Sequence, residues 1–181
     1  MKDEHSVFRA NRSGCDGYRE RGAAVCVKDE MEQEVLLVTS KRDQSKWVIP
    51  GGGVESGEDV SDAAIREVIE EAGVKGVITR FLGVFETAQD RHRTSVFVLR
   101  VSEELHDWED ARRIGRKRRW FPVEEARALL GLHKQSQQIY LDYLKMAAPT
   151  AASDDSHSSP VGGAPAEGQA RSCTDTIGGG R

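Results

Sequence analysis

The chain has 181 residues, 38% of them hydrophobic and 6% aromatic, and a formal net charge of −4. This suits one domain of ordinary size with enough apolar residues to bury a core. No stretch resembles a transmembrane span, and the first residues, MKDEHSVFRANRSG, lack an apolar h-region, so neither a membrane protein nor a secretory signal is expected. Three cysteines, Cys15, Cys26 and Cys173, are scattered without metal-ligand spacing, which fits a reduced cytoplasmic setting, or a nuclear one.

In chain order, residues 1–15 read as a polar, flexible N-terminal arm, and 16–145 as the globular domain. Strands are expected at 22–28, 35–39 and 47–49, where β-branched residues cluster, and Cys26 lies in the first as a small core residue. Ile49-Pro50-Gly51-Gly52-Gly53 then leaves the third strand, and its glycines let peptide groups approach a phosphate or metal closely. No GxxxxGK[ST] follows, which excludes a P-loop. A helix is expected over 60–72, with Asp59 before it and Gly73 as its left-handed stop. Strands at 76–86 and 94–102 flank a hairpin loop at Gln89-Asp90-Arg91-His92. Trp120-Phe121 reads as a short last strand, followed by helices at 123–130 and 135–144. Residues 146–181, rich in Ala, Ser, Gly and Pro, cannot form a core and are expected to be a disordered tail. Strands before and after a central helix, with helices at the end, give an α/β layered domain.

The chemistry concentrates between Gly52 and Val74, GGVESGEDVSDAAIREVIEEAGV. At about 100° per residue, with Val60 at zero, Glu70, Glu67 and Glu71 fall near ~280°, ~340° and ~20°, an arc of about 100°. Ala64, Val68, Ala72, Ile65 and Ile69 form an adjacent apolar stripe, so the carboxylates look into the boundary between helix and sheet. Arg66, near ~240° on the same wheel, flanks them and can bond a carboxylate from behind. Three carboxylates within one turn repel unless cations sit between them. Mg²⁺ or Mn²⁺ would relieve that conflict, with substrate phosphates completing an open site. A remaining carboxylate could orient or deprotonate the attacking water.

Gly52, Glu58, Arg66, Glu67, Val68, Glu70, Glu71, Gly73 and Val74 match every defined position of the Nudix box, Gly-x5-Glu-x7-Arg-Glu-U-x-Glu-Glu-x-Gly-U. At ordinary residue frequencies such a match arises by chance on the order of 10⁻⁹ per starting position, so coincidence is no competitor. The resemblance to Nudix hydrolases implies an α/β/α sandwich with a mixed central sheet, a divalent cation, and hydrolysis of a phosphate anhydride.

Basic residues cluster at Arg12, Arg19 and Arg21, at Lys41 and Arg42, at Arg91, His92 and Arg93, and in Arg112 to Arg119, where six of eight residues are Arg or Lys. So many cationic groups suggest a substrate richer in negative charge than a simple diphosphate. Asp16-Gly17-Tyr18, Trp47 to Gly53, His92-Arg93-Thr94, Asp107-Trp108-Glu109-Asp110, Ile114 to Arg118 and His133-Lys134 together resemble the diphosphoinositol polyphosphate phosphohydrolase subfamily. That resemblance implies metal ligation by the Gly51 carbonyl, Glu67 and Glu71, with Glu70 as general base. It implies substrate contacts from Arg12, Arg19, Arg21, Ser40, Lys41, Arg42, Arg91, His92, Arg116 and Lys134. Three departures bear on substrate preference: Asp90 in the hairpin where the family tends to be basic, Glu20 between Arg19 and Arg21, and a one-residue shift at Arg12.

The expected activity is hydrolysis of the diphosphate group of inositol pyrophosphates to an inositol polyphosphate and orthophosphate, by a monomer with Mg²⁺ or Mn²⁺. Diadenosine polyphosphates and capped RNA are the alternative substrates within the same chemistry. Sparse aromatic residues leave no obvious adenine slot, which favours the inositol compound. A non-catalytic polyphosphate-binding module is the alternative of a different class, and the complete acidic set argues against it.

Overall fold

The computed structural model describes residues 17–146. The expected arm and tail, with Arg12, Cys15 and Cys173, lie outside them, except that Met146 ends a helix and does not open the tail. Seven strands form one sheet: β1 (Arg19–Val27), β2 (Glu34–Thr39), β3 (Trp47–Val48), β4 (Gly51–Gly53), β5 (Val74–Thr87), β6 (His92–Glu104) and β7 (Arg118–Pro122). The main path runs β3-β2-β1-β6-β5, with β4 paired to β1 and β7 to β2. Only β1 and β6 pair in parallel, the other pairings being antiparallel, so the sheet is mixed as expected.

Helix α1 (Val60–Glu67) covers one face, α2 (Glu109–Ile114) precedes β7, and α3 (Val123–Gly131) and α4 (Gln135–Met146) cover the other. Strand alternation makes the two cores. Ala23, Val25 and Val27 of β1 join Val35, Leu37, Val96 and Val98 against Ala126, Leu130 and Leu141, whereas Ala24 and Cys26 join Leu36, Val38 and Leu99 against Val68 and Ala72. Phe121, 1% exposed, meets Trp47 edge-on with ring centres 5.0 Å apart, a burial that stabilises by roughly 1.5–3 kcal/mol. Cys26 is wholly buried, and desolvation pushes its thiol up to about 12, so it stays an inert core residue. Among the described residues no helix is long and apolar enough to cross a membrane.

Several elements differ from the sequence expectation. The α-helix ends at Glu67, and Val68–Ala72 continues as a π-helical turn with i→i+5 pairing. The glycine run is a strand, not merely a turn. Helix α2 was not expected, and β5 and β6 extend beyond their expected ends into one long hairpin. Asp59 does occupy the N-cap, without a side-chain capping bond, and Gly73 closes the π turn at φ 61°, where a Cβ would be strained.

Candidate active site

Strand β4 lays three glycines against β1, with Gly51 opposite Ala23, Gly52 opposite Gly22 and Gly53 opposite Arg21. A Cβ at Gly52 would fall 2.0 Å from Glu67 Oε1, so any side chain there displaces that carboxylate. The Glu67 carboxylate therefore lies directly over the Gly52 backbone, in the space a side chain would fill. Gly51 N–H donates to Glu71 Oε2 at 3.0 Å, and the Gly51 carbonyl accepts from Arg21 Nη2 at 2.7 Å. Helix and glycine strand thus meet through two glutamates.

Two arginines hold those glutamates. Arg66 donates to both oxygens of Glu58 (2.8 and 3.0 Å), to Glu67 Oε1 (2.8 Å) and to the Gly53 carbonyl (2.9 Å), and its Nη1 lies 3.6 Å from Glu70 Oε1. The bonds from Glu58, more than those from Glu67, raise its already high pKa, so the group is a fixed cation. Arg66 thus backs the carboxylates as its position on the helix suggests. Glu71 pairs with Arg116, whose Nη1 is 2.7 Å away and whose side chain is only 3% exposed; Arg116 Nε in turn lies 3.3 Å from Asp110. Burial raises the Glu71 pKa, and neighbouring Glu67 adds to this, while Arg116 and the Gly51 N–H oppose it.

Glu67, Glu70 and Glu71 are linked through shared neighbours: Arg66 Nη1 lies 2.8 Å from Glu67 Oε1 and 3.6 Å from Glu70 Oε1, and the charge of Glu67 acts on Glu71. Among the described residues no three His, Cys, Asp or Glu side chains are grouped as a metal-ligand set. Glu67 and Glu71 reach the glycine strand, and Glu70 shares Arg66 Nη1 with Glu67. This arrangement fits a divalent cation. Glu67 and Glu71 are hard oxygen donors brought to one glycine strand, whose Gly51 carbonyl is held by Arg21, and Mg²⁺ commonly takes only one or two carboxylates plus substrate oxygens.

Five of the ten expected substrate contacts, Arg19, Arg21, Arg91, His92 and Lys134, lie near one another. Arg19 pairs with His92 across β1 and β6, and its N–H donates to the Arg91 carbonyl at 2.9 Å. Burial lowers the His92 pKa, and Arg21, Arg19 and Lys134 lower it further against the opposing charge of Asp90. Five expected or noted residues therefore share one electrostatic field, joined to the glycine strand through Arg21. His133 Nε2 sits 2.8 Å from the Trp47 carbonyl, which places Lys134 beside the strand leading to Gly51. Ser40, Lys41 and Arg42 start a separate loop whose Ser40 N–H bonds the Lys46 carbonyl at 2.8 Å. There the Ser45 hydroxyl and N–H hold Asp43 at about 2, pinning the turn, and Gln44 bonds the Ile114 carbonyl at 2.6 Å. Arg116 is set apart from the others by its burial behind Glu71.

Three arginines of the basic run around Arg116 are exposed and paired locally. Arg112 meets Asp107, Arg113 meets Glu109 and Arg119 approaches Glu125. Glu109 of α2 stands one turn before Arg113, whereas Asp107 precedes the helix.

Sequence reasoning assigned no role to Asp110, Trp108, Arg118 or Gln137. Gln137 clamps Ile49, accepting from its N–H at 3.0 Å and donating to its carbonyl at 3.2 Å, so α4 holds the strand entering the glycines. Glu109 and Asp110 in a first turn and Gly115 at φ 67° past the last were a legible, if short, helix signal for α2.

The NUDIX domain family model matches residues 18–143. Diphosphoinositol polyphosphate phosphohydrolase 3-beta of Homo sapiens is 52% identical over 147 residues, 80% of this chain and 90% of that protein. The 3-alpha protein of Mus musculus is 51% identical over the same length and shares. Diphosphoinositol polyphosphate phosphohydrolase 2 of Homo sapiens is 50% identical over 136 residues, 75% of this chain and 76% of that one. A solved NUDIX hydrolase from Nitrosomonas europaea aligns with a TM-score of 0.61 at 24% identity, covering 72% of this chain and 90% of its own, a likeness of fold. With its box complete, its acids seated on a glycine strand and these relatives at half identity, the chain belongs to the Nudix hydrolase family.

Proposed function

We propose that the protein hydrolyses the diphosphate group of inositol pyrophosphates, releasing orthophosphate and an inositol polyphosphate, with Mg²⁺ or Mn²⁺ as cofactor. The observation that carries this reading is the shared field of Arg19, Arg21, His92 and Lys134 next to the strand where Glu67 and Glu71 are seated. A substrate with phosphates around a compact ring engages several such cations at once, whereas a short diphosphate reaches few. The names of the relatives agree with this choice. The Tyr18 ring is covered by Arg91 and Arg93, whose guanidinium carbons lie 5.9 and 5.2 Å from its centre, which disfavours adenine stacking there.

Glu67, Glu71 and the Gly51 carbonyl would hold the cation, and Arg66 keeps Glu67 in place. When bound, the cation supplies charge neutralisation at the phosphoryl oxygens. Glu70, next in line on the turn, orients and deprotonates the attacking water. Arg21 and Lys134 grip the remaining phosphates, and Arg116 fixes Glu71 from its buried side.

The charged wall makes a measurable prediction. Lys134→Ala should raise KM for an inositol pyrophosphate by about fivefold, the loss of ~1 kcal/mol of charge-assisted contact, while a short diphosphate substrate is little affected. Equal effects on both substrates would make Lys134 a solvated surface residue and remove it from the site.

A further inference from the structure

Trp108 and Arg118 take no part in the chemistry described above, yet both converge on the end of the helix that carries Glu70 and Glu71. A helix leaves its last carbonyls without donors of its own. Here two side chains from outside the helix supply them. Trp108 Nε1–H donates to the Glu71 carbonyl at 3.1 Å. Arg118 Nη1 donates to the carbonyls of Ala72 and Gly73 at 2.9 and 2.7 Å, and Nη2 to that of Leu105 at 2.8 Å. The guanidinium lies over the Trp108 ring, 4.4 Å from its centre. Gly73 turns beneath the pair so closely that a Cβ would stand 2.5 Å from the indole and 2.7 Å from Arg118 Nη1. Leu105 N–H closes the knot on the Gly73 carbonyl at 2.8 Å.

We propose that Trp108 and Arg118 are positioning residues for hydrolysis: they hold the end of the π turn Val68–Ala72 and so set the direction of Glu70 and Glu71. The inference rests on the roles assigned above to those two glutamates. A π turn carries one residue more than α pairing accommodates; such turns are rare and frequently stand at functional sites. Releasing the Glu71 carbonyl frees the end of the turn, which Gly73 N–H otherwise closes only on the Ile69 carbonyl at 3.1 Å, and would let the Glu71 carboxylate turn off the Gly51 N–H. The planar fork of Arg118 serves three carbonyls while stacking on an indole, and an ammonium cannot reproduce both.

The test uses the full chain as wild type, Trp108→Phe, Arg118→Lys, and Val123→Ala as a destabilised control in α3. Phenylalanine keeps an aromatic cover over Gly73 but loses the N–H. Trp108→Phe should lower kcat about tenfold with KM nearly unchanged, as expected for misplaced reacting groups, while Val123→Ala retains the wild-type kcat well below its melting temperature. Amide exchange over residues 68–73 should rise about fivefold in Trp108→Phe and Arg118→Lys, with residues 60–66 unaffected. A wild-type kcat in Trp108→Phe, or exchange that is unchanged or raised uniformly, would overturn the proposal. Should the wild type itself show no turnover, the hydrolase reading falls, and the exchange pattern alone still decides whether the clamp holds the turn.

Discussion

Replacing Glu70 by Gln lowers kcat by about 10² to 10⁴, the range expected when a general base is removed. The side chain of Glu70 is 22% exposed and 3.6 Å from Arg66 Nη1, outside the tight bonds that seat Glu67 and Glu71. Glutamine is isosteric, so the packing of the turn survives. The melting temperature should move by no more than about 2 °C, as for a surface change worth ~0.5 kcal/mol. Steady-state kinetics at saturating divalent cation separate this effect from a binding defect: kcat falls while KM for substrate stays within about twofold. An unchanged kcat would take the base role from Glu70 and leave Glu67 or Glu71 to supply it.

The second large effect comes from one methyl group. Gly52→Ala places a Cβ 2.0 Å from Glu67 Oε1 and 2.2 Å from its carboxyl carbon. Glu67 is 5% exposed and bonded to Arg66, so its carboxylate cannot swing aside without breaking that contact. The carboxylate is displaced by an ångström or more, and activity should fall on the order of 10²-fold. Affinity for Mn²⁺, measured by titration calorimetry, should weaken in parallel. If Gly52→Ala binds Mn²⁺ and turns over like wild type, Glu67 is not a ligand at this cradle.

Much of this site was legible before any coordinates. The spacing of Glu58, Arg66, Glu67, Glu70 and Glu71 placed the acids beside the apolar stripe, and the structure seats that stripe on β1 and β2 through Val68 and Ala72. Arg66 behind the carboxylates followed from the same wheel. The strands of the central sheet announced themselves because both of their faces are buried, giving runs such as Ala23 to Val27. Three features had no local mark. Gly51 to Gly53 carry no side chains whose alternation could betray a strand, and their pairing depends on Gly22 and Ala23 across the sheet. The i→i+5 turn keeps α-like composition, and its end is held by Trp108 and Arg118 from outside the helix. The place of Arg116, which sequence reasoning could put only among the phosphate contacts, depends on its burial behind Glu71, a property of the assembled fold.

The most direct measurement is orthophosphate release from an inositol pyrophosphate, with diadenosine hexaphosphate and capped RNA assayed for their own cleavage at the same ionic strength, each with excess chelator and with Mg²⁺ or Mn²⁺ restored. Turnover that vanishes with the chelator, returns with either cation, and shows its highest kcat/KM on the inositol pyrophosphate is the predicted result. Turnover that persists without divalent cation, or a higher kcat/KM on the dinucleotide or the RNA, would contradict it.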